Sequence, residues 1–137
     1  MRSMQFRNAK AAYAAVASAL AWADSVPVEG LSDEERLTLL AQRREWRRRI
    51  PAGEHALINE VAKAAPETLG DTPARALADR LRITRSEARR CIEEAADLGP
   101  RYALTGEPLA AKLEYTAAGQ RTGLIGGEHV KIIRAFF

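Results

Sequence analysis

Apolar residues recur along this chain at alternating spacings of three and four, the period of a helix laid against a neighbour. In residues 5–24, Phe6, Ala9, Tyr13, Val16, Leu20 and Ala23 form one such seam, and most positions between them are Ala. The pattern predicts a first helix whose small side chains let a second helix, or a second copy of the chain, approach closely. Ala9, Tyr13, Val16, Ala17 and Leu20 are therefore the candidate oligomer interface. Residues 25–30 (SVPVEG) end this helix.

A second helix is expected from Asp33 to about Ile50. Ser32 with Glu35 three residues on makes a capping box, and acidic residues at the start with arginines at the end suit the helix dipole. Leu37, Leu39, Leu40, Trp46 and Ile50 are its expected buried side. Pro51 predicts a kink or break over residues 51–53, followed by a third helix over 54–65 with Leu57, Ile58, Val61 and Ala65 inward. Residues 66–71 read as a loop.

The next stretch, TPARALADRLRITRSEARRCIEEAADLG, reads as two helices joined by a tight turn. Thr72 is the expected N-cap with Pro73 at the first helical position, and the helix runs to about Leu81. Thr84 starts the second, with Glu87 completing a capping box. Leu77, Ala78, Leu81, Ile83, Ala88 and Cys91 have the offsets that let two short helices cross, as in a helix-turn-helix. The bland alternative is an ordinary helix pair, in which Arg89–Glu93 and Arg90–Glu94 are surface pairs worth tenths of a kcal/mol each.

Residues 100–113 contain the turn signal Thr105-Gly106-Glu107-Pro108 and read as irregular or partly extended. A short helix is expected from about 114–116 to near Gly123. A last one over 128–137 carries Val130, Ile133 and Phe137 inward, with Ile132 and Phe136 alongside. These two helices loosely echo residues 78–99. The run Ile-Ile-Arg-Ala-Phe-Phe at the end implies either a longer natural chain or burial in a partner. The fold class is all-α, a bundle of about six or seven helices in a single domain over 1–137. Its parts are an Ala-rich helix and linker (1–30), central helices with the helix pair (31–99), and a loop with a terminal helix pair (100–137).

Charge sharpens this picture. The chain of 137 residues carries +3 overall, yet residues 36–49 hold a local +5 and residues 80–90 a local +4, leaving the rest at −6. Two basic islands in an otherwise acidic chain suggest a polyanion-facing surface. The candidate nucleic-acid contacts are Arg82, Thr84, Arg85, Ser86, Arg89 and Arg90 at the start of the second paired helix. Arg43, Arg44, Arg47 and Arg48 would hold phosphates beside it. Arginine presents a planar fork of donors that fits phosphate oxygens or a guanine edge.

One cysteine, Cys91, excludes an internal disulfide and fits a core position in a reducing compartment, so a cytoplasmic protein is expected. Arg2, Arg7 and Lys10 ahead of an Ala-rich stretch ending Ala21-Trp22-Ala23 have the outline of a secretory leader, but a stretch of Ala rather than Leu reads better as a helix. No stretch approaches the roughly 18–20 apolar residues that span a membrane. The two histidines, His55 and His129, have no ligand at metal spacing, and no phosphate loop, nucleophile elbow or His-Glu-x-x-His motif is present. Glu93 and Glu94 are adjacent and so diverge. No metal, cofactor or small-molecule substrate is expected, and the chain is not expected to be an enzyme.

The strings EWRRRIPAGEHALINEVA, LADRLRITRSEARRCIEEAADLGPRYALTGEPL and TAAGQRTGLIGGEHVKIIRAFF resemble the actinobacterial 13E12 repeat proteins, whose shared region is domain of unknown function 222. The resemblance covers residues 30–137 well and the first helix loosely. It implies a helical module that positions a nuclease on DNA, since such proteins often carry a C-terminal HNH nuclease domain. These 137 residues contain no HNH region, so nuclease activity is carried onto no residue here. Ala110-Ala111 stand where the family usually has Pro-Pro, so that loop is expected to be more helical. The function expected from all this is DNA binding. The alternative is a helical dimerisation or interaction module with no DNA contact.

Overall fold

The computed structural model describes residues 2–137, with side chains from residue 4 onward. The side chain of Arg2, the first of the basic residues near the N-terminus, lies outside the described residues. Seven helices and one two-stranded hairpin are found among the described residues. They fall into two units, residues 1–39 and 40–137.

The first unit holds α1 (Arg2–Ser25) and the start of α2 (Asp33–Ala62). Every described side chain of α1 is exposed, the seam residues Tyr13, Val16 and Leu20 included. The linker is fixed locally: Arg36 donates from Nε to the Val28 carbonyl at 3.0 Å and from a terminal nitrogen to the Glu29 carbonyl at 3.0 Å. The expected capping box forms in full. The Ser32 N–H donates to Glu35 Oε1 at 2.8 Å, and the Glu35 N–H donates to Ser32 Oγ at 3.1 Å. Those bonds hold the exposed Glu35 carboxyl below the usual carboxylate range.

The second unit contains the rest of α2, α3 (Pro66–Leu69), α4 (Pro73–Leu81), α5 (Arg85–Leu98), the hairpin β1–β2, α6 (Glu114–Arg121) and α7 (Gly127–Phe136). The strands β1 (Arg101–Tyr102) and β2 (Pro108–Leu109) pair antiparallel, with Arg101 opposite Leu109 and Tyr102 opposite Pro108. The unit has two small cores. Ile58, Leu77, Ala78, Ala88 and Ala95 form one, with Val61, Ile83, Cys91 and Ile92 against it. Leu98, Ala117 and Val130 form the other, with Ala111, Leu113 and Ile125. Arg134 Nε on α7 donates to Asp97 on α5 at 3.0 Å and ties the second core together.

Several expectations are corrected. The helix does not break at Pro51: α2 continues through it. Proline inside a helix costs about 3 kcal/mol, and tertiary bonds on both sides oppose the break. Before it, Arg48 Nε donates to the Gly123 carbonyl at 2.6 Å, and after it His55 Nε2 meets Gln120 Oε1 at 2.8 Å. Both partners sit on α6 or the turn that follows it. Leu37, Leu39, Leu40, Trp46, Ile50 and Leu57 are exposed rather than buried, as is Ala65. Residues 66–69 make one helical turn where a loop was expected, and Ala110-Ala111 are not helical. On α7 only Val130 is buried; Ile132, Phe136 and Phe137 face out.

Candidate nucleic-acid interface

The first helix of the pair, α4, begins after Thr72, which has the extended N-cap backbone but makes no side-chain cap. It ends at Arg82, whose left-handed backbone (φ 58°, ψ 46°) turns the chain and returns its N–H to the Ala78 carbonyl. Arg82 is the one described non-glycine residue with positive φ. Three residues, 82–84, join the two helices. Thr84 caps α5 by accepting the Glu87 N–H at 3.1 Å. The capping box is only half made, because the Glu87 carboxylate turns to Arg90 instead.

The arginines of this segment divide by the face of α5 they occupy. Arg82, Arg85 and Arg89 are exposed, with Ser86 exposed beside them. No hydrogen bond or ion pair holds these three guanidinium groups among the described residues. Arg90 is different and is withdrawn from the candidate contacts. Its Nε donates to Glu87 Oε2 at 3.0 Å, and a terminal nitrogen bonds the Glu94 carboxylate. The Glu87 contact raises the Arg90 pKa above its ordinary value and lowers that of Glu87. Thr84 is likewise a structural cap rather than a free contact.

The α2 island splits in the same way. Arg44 and Arg47 are exposed and unpaired among the described residues. Arg43 stacks toward the Trp46 ring, its guanidinium carbon 6.0 Å from the centroid, which is cation–π range. Arg48 is withdrawn, since its Nε is committed to the Gly123 carbonyl. Gly123 has φ +79°, and a Cβ there would lie 2.8 Å from Glu45 Cγ and 3.0 Å from Arg49 Cγ. The turn after α6 thus presses directly onto the arginine-rich part of α2.

A buried polar chain behind α5 escapes sequence reasoning. Gln120 is 1% exposed, His55 4% and Glu94 5%. The Gln120 amide nitrogen donates to Glu94 Oε1 at 3.3 Å, so its oxygen must accept, and His55 Nε2 is the donor at 2.8 Å. The run Glu87–Arg90–Glu94–Gln120–His55 therefore links α5, α6 and α2. His55 Nδ1 is the one buried side-chain nitrogen or oxygen without a partner among the described residues. A signal existed: Glu94 falls on the same helical face as Ala88, Cys91 and Leu98. Cys91, expected in the core, is half-buried against it, and burial pushes its thiol pKa up.

Among the described residues, no group of three or more His, Cys, Asp or Glu side chains is placed to hold a metal ion. No helix among them is long and apolar enough to cross a membrane.

Residues 37–137 match the model of a family described as Domain of unknown function (DUF222). The chain is 56% identical over 115 residues to the uncharacterised protein Rv3466 of Mycobacterium tuberculosis, covering 83% of this chain and 52% of that protein. It is 51% identical over 126 residues to Rv1128c of the same organism, covering 91% of this chain and 28% of that protein. Mb1179c of Mycobacterium bovis is 49% identical over 138 residues, which is 100% of this chain and 30% of that protein. The chain thus spans about half the length of some curated relatives and under a third of others. No solved structure matches it.

Proposed function

The chain belongs to the DUF222 family, and on that premise we propose that it is a DNA-binding helical module. One observation carries this reading: Arg82, Arg85 and Arg89 stand exposed and unpaired with Ser86 on the turn and first turns of α5, the second of two helices joined by three residues. This is the disposition of a helix-turn-helix, where the second helix enters the major groove by its N-terminal end. Arg85, Ser86 and Arg89 reach base edges. Arg82, with Arg44 and Arg47 from α2, neutralises phosphates. The Arg85 and Ser86 amides at the start of α5 have no helical acceptor and add a partial positive charge toward the same polyanion.

The buried chain behind α5 supports this role by setting the pitch of the outward face. Arg90 anchors the helix so that Arg89 and Arg85 project. The module binds and positions; it performs no bond-making or bond-breaking step itself. Such a role places it in the cytoplasm with the DNA.

Duplex binding measured at two salt concentrations tests the reading. Three neutralised phosphates correspond to a log–log slope of about −3. Absence of binding at low salt would end it.

A further inference from the structure

A second surface is built by three helices of the second unit. The facing sides of α2, α3 and α4 enclose an open groove of about 750 Å³. Leu57 and Leu81 stand on its walls, 55% and 48% exposed. Its rim carries Glu54, Asp71 and Asp79 against the single cation Arg80. An apolar trough with an acidic rim fits an amphipathic helix whose apolar face is flanked by cations.

The same chain carries a helix with an exposed apolar seam and cations near its start. On α1, Phe6, Tyr13 and Val16 are 65%, 64% and 68% exposed, along one seam. Arg7 and Lys10 are exposed within its first turns, and Lys10 Nζ lies 5.2 Å from the Phe6 ring centroid. We propose that α1 of one copy docks in the α2–α3–α4 groove of a second copy, and that the exchange is reciprocal. Arg7 and Lys10 then meet Glu54 and Asp79 of the partner copy. Two-fold exchange covers four aromatic rings, which at about 100 Å² or more apiece supply a quarter to a third of the roughly 1,200–2,000 Å² a stable interface removes from water.

This inference does not depend on DNA binding. Its test is mass in solution, by sedimentation or light scattering across a dilution series without DNA. The expected result is a dimer for the natural sequence. The Arg7→Glu/Lys10→Glu variant and the Glu54→Lys/Asp79→Lys variant should each dissociate at a protein concentration at least tenfold higher. The chain carrying all four reversals should dimerise again, because the charge pairs are restored with opposite sign. All four side chains are exposed, so helix content by circular dichroism should match the natural sequence in every variant. Leu81→Ser, which keeps the charges and removes an apolar wall, should also weaken the dimer. A natural sequence that stays monomeric overturns the proposal. So does a dimer that survives the groove reversal, which would mean that α1 pairs elsewhere. A four-fold variant that is helical yet monomeric overturns it as well.

Discussion

His55 and Gln120, 65 positions apart in the chain, are joined by a 2.8 Å hydrogen bond between two buried side chains. Gln120 uses its other end on Glu94 Oε1, so one amide serves both the buried His55 ring nitrogen and the carboxylate oxygen opposite the one that Arg90 holds. Replacing it with Leu keeps the volume and removes the partner of His55 Nε2 and of Glu94 Oε1. We expect Gln120→Leu to lower unfolding free energy by about 2–4 kcal/mol, since each orphaned polar group costs about 1–3 kcal/mol. Urea denaturation followed by circular dichroism reads this directly. A loss under about 1 kcal/mol would show that Glu94 and His55 find other partners.

Arg89 and Arg90 are neighbours with opposite assignments, and alanine substitutions should separate them. Arg90→Ala leaves the Glu94 carboxylate buried beside an empty place, which should cost about 2 kcal/mol of stability. Arg89→Ala should leave the urea midpoint within about 0.5 kcal/mol of the parent. On the DNA-binding reading, Arg89→Ala should weaken duplex binding by about 1–3 kcal/mol if it contacts a guanine. The paired measurements are urea titration and fluorescence anisotropy. Equal effects of the two substitutions on both readouts would refute the division.

The pairing of Glu87 with Arg90 has a pH signature. Its carboxyl is held below the ordinary value of 4.5 chiefly by the bond from Arg90. A lowered folded-state pKa contributes stability in full above the unfolded value, and that contribution disappears as pH falls through the folded value. The parent should therefore lose melting temperature faster than Glu87→Gln below about pH 4.5, with the two curves converging in stronger acid. Glu87 is partly exposed, so the difference should be small and should shrink further with added salt. Parallel melting curves at every pH would contradict the assignment.

Gly123 combines a left-handed backbone with a tight approach to α2. A β-carbon there strains the backbone by about 1–2 kcal/mol and must also displace the stems of Glu45 and Arg49. Gly123→Ala should therefore destabilise the chain by at least about 2 kcal/mol in thermal or urea unfolding. Gly53, with open space around its α-carbon, provides the control. Because it lies inside α2, Gly53→Ala should be neutral or stabilising.

The elements with strong local signals were readable in advance. Thr84, Glu87 and the Ala88–Cys91 spacing located α5, and Pro73 located the start of α4. Ser32 and Glu35 make the reciprocal bonds their spacing promised. What failed was inference about distant partners. Leu39, Trp46, Ile50 and Leu57 looked like the inner side of α2, but their periodicity says only that they share a face. Pro51 carries a local penalty, and the bonds to Gly123 and Gln120 that oppose a break there come from partners some 70 residues away in sequence. Among the arginines, composition marked the two islands but could not say which members were held. Arg90 and Arg48 are each tied by neighbours, one by carboxylates on its own helix and one by a distant carbonyl. The segregation of Arg85 and Arg89 onto the outer face was legible from helical spacing.

Arg82 holds a backbone shape that glycine adopts freely and other residues pay for in steric crowding at the β-carbon. Removing that carbon would relax the joint between α4 and α5, so Arg82→Gly should melt a few degrees higher than the parent, on the order of 3 °C. The tightest bend of the helix pair is thus a place where this chain is less robust than its backbone would permit, and the side chain that keeps it so is a cation pointing into solvent.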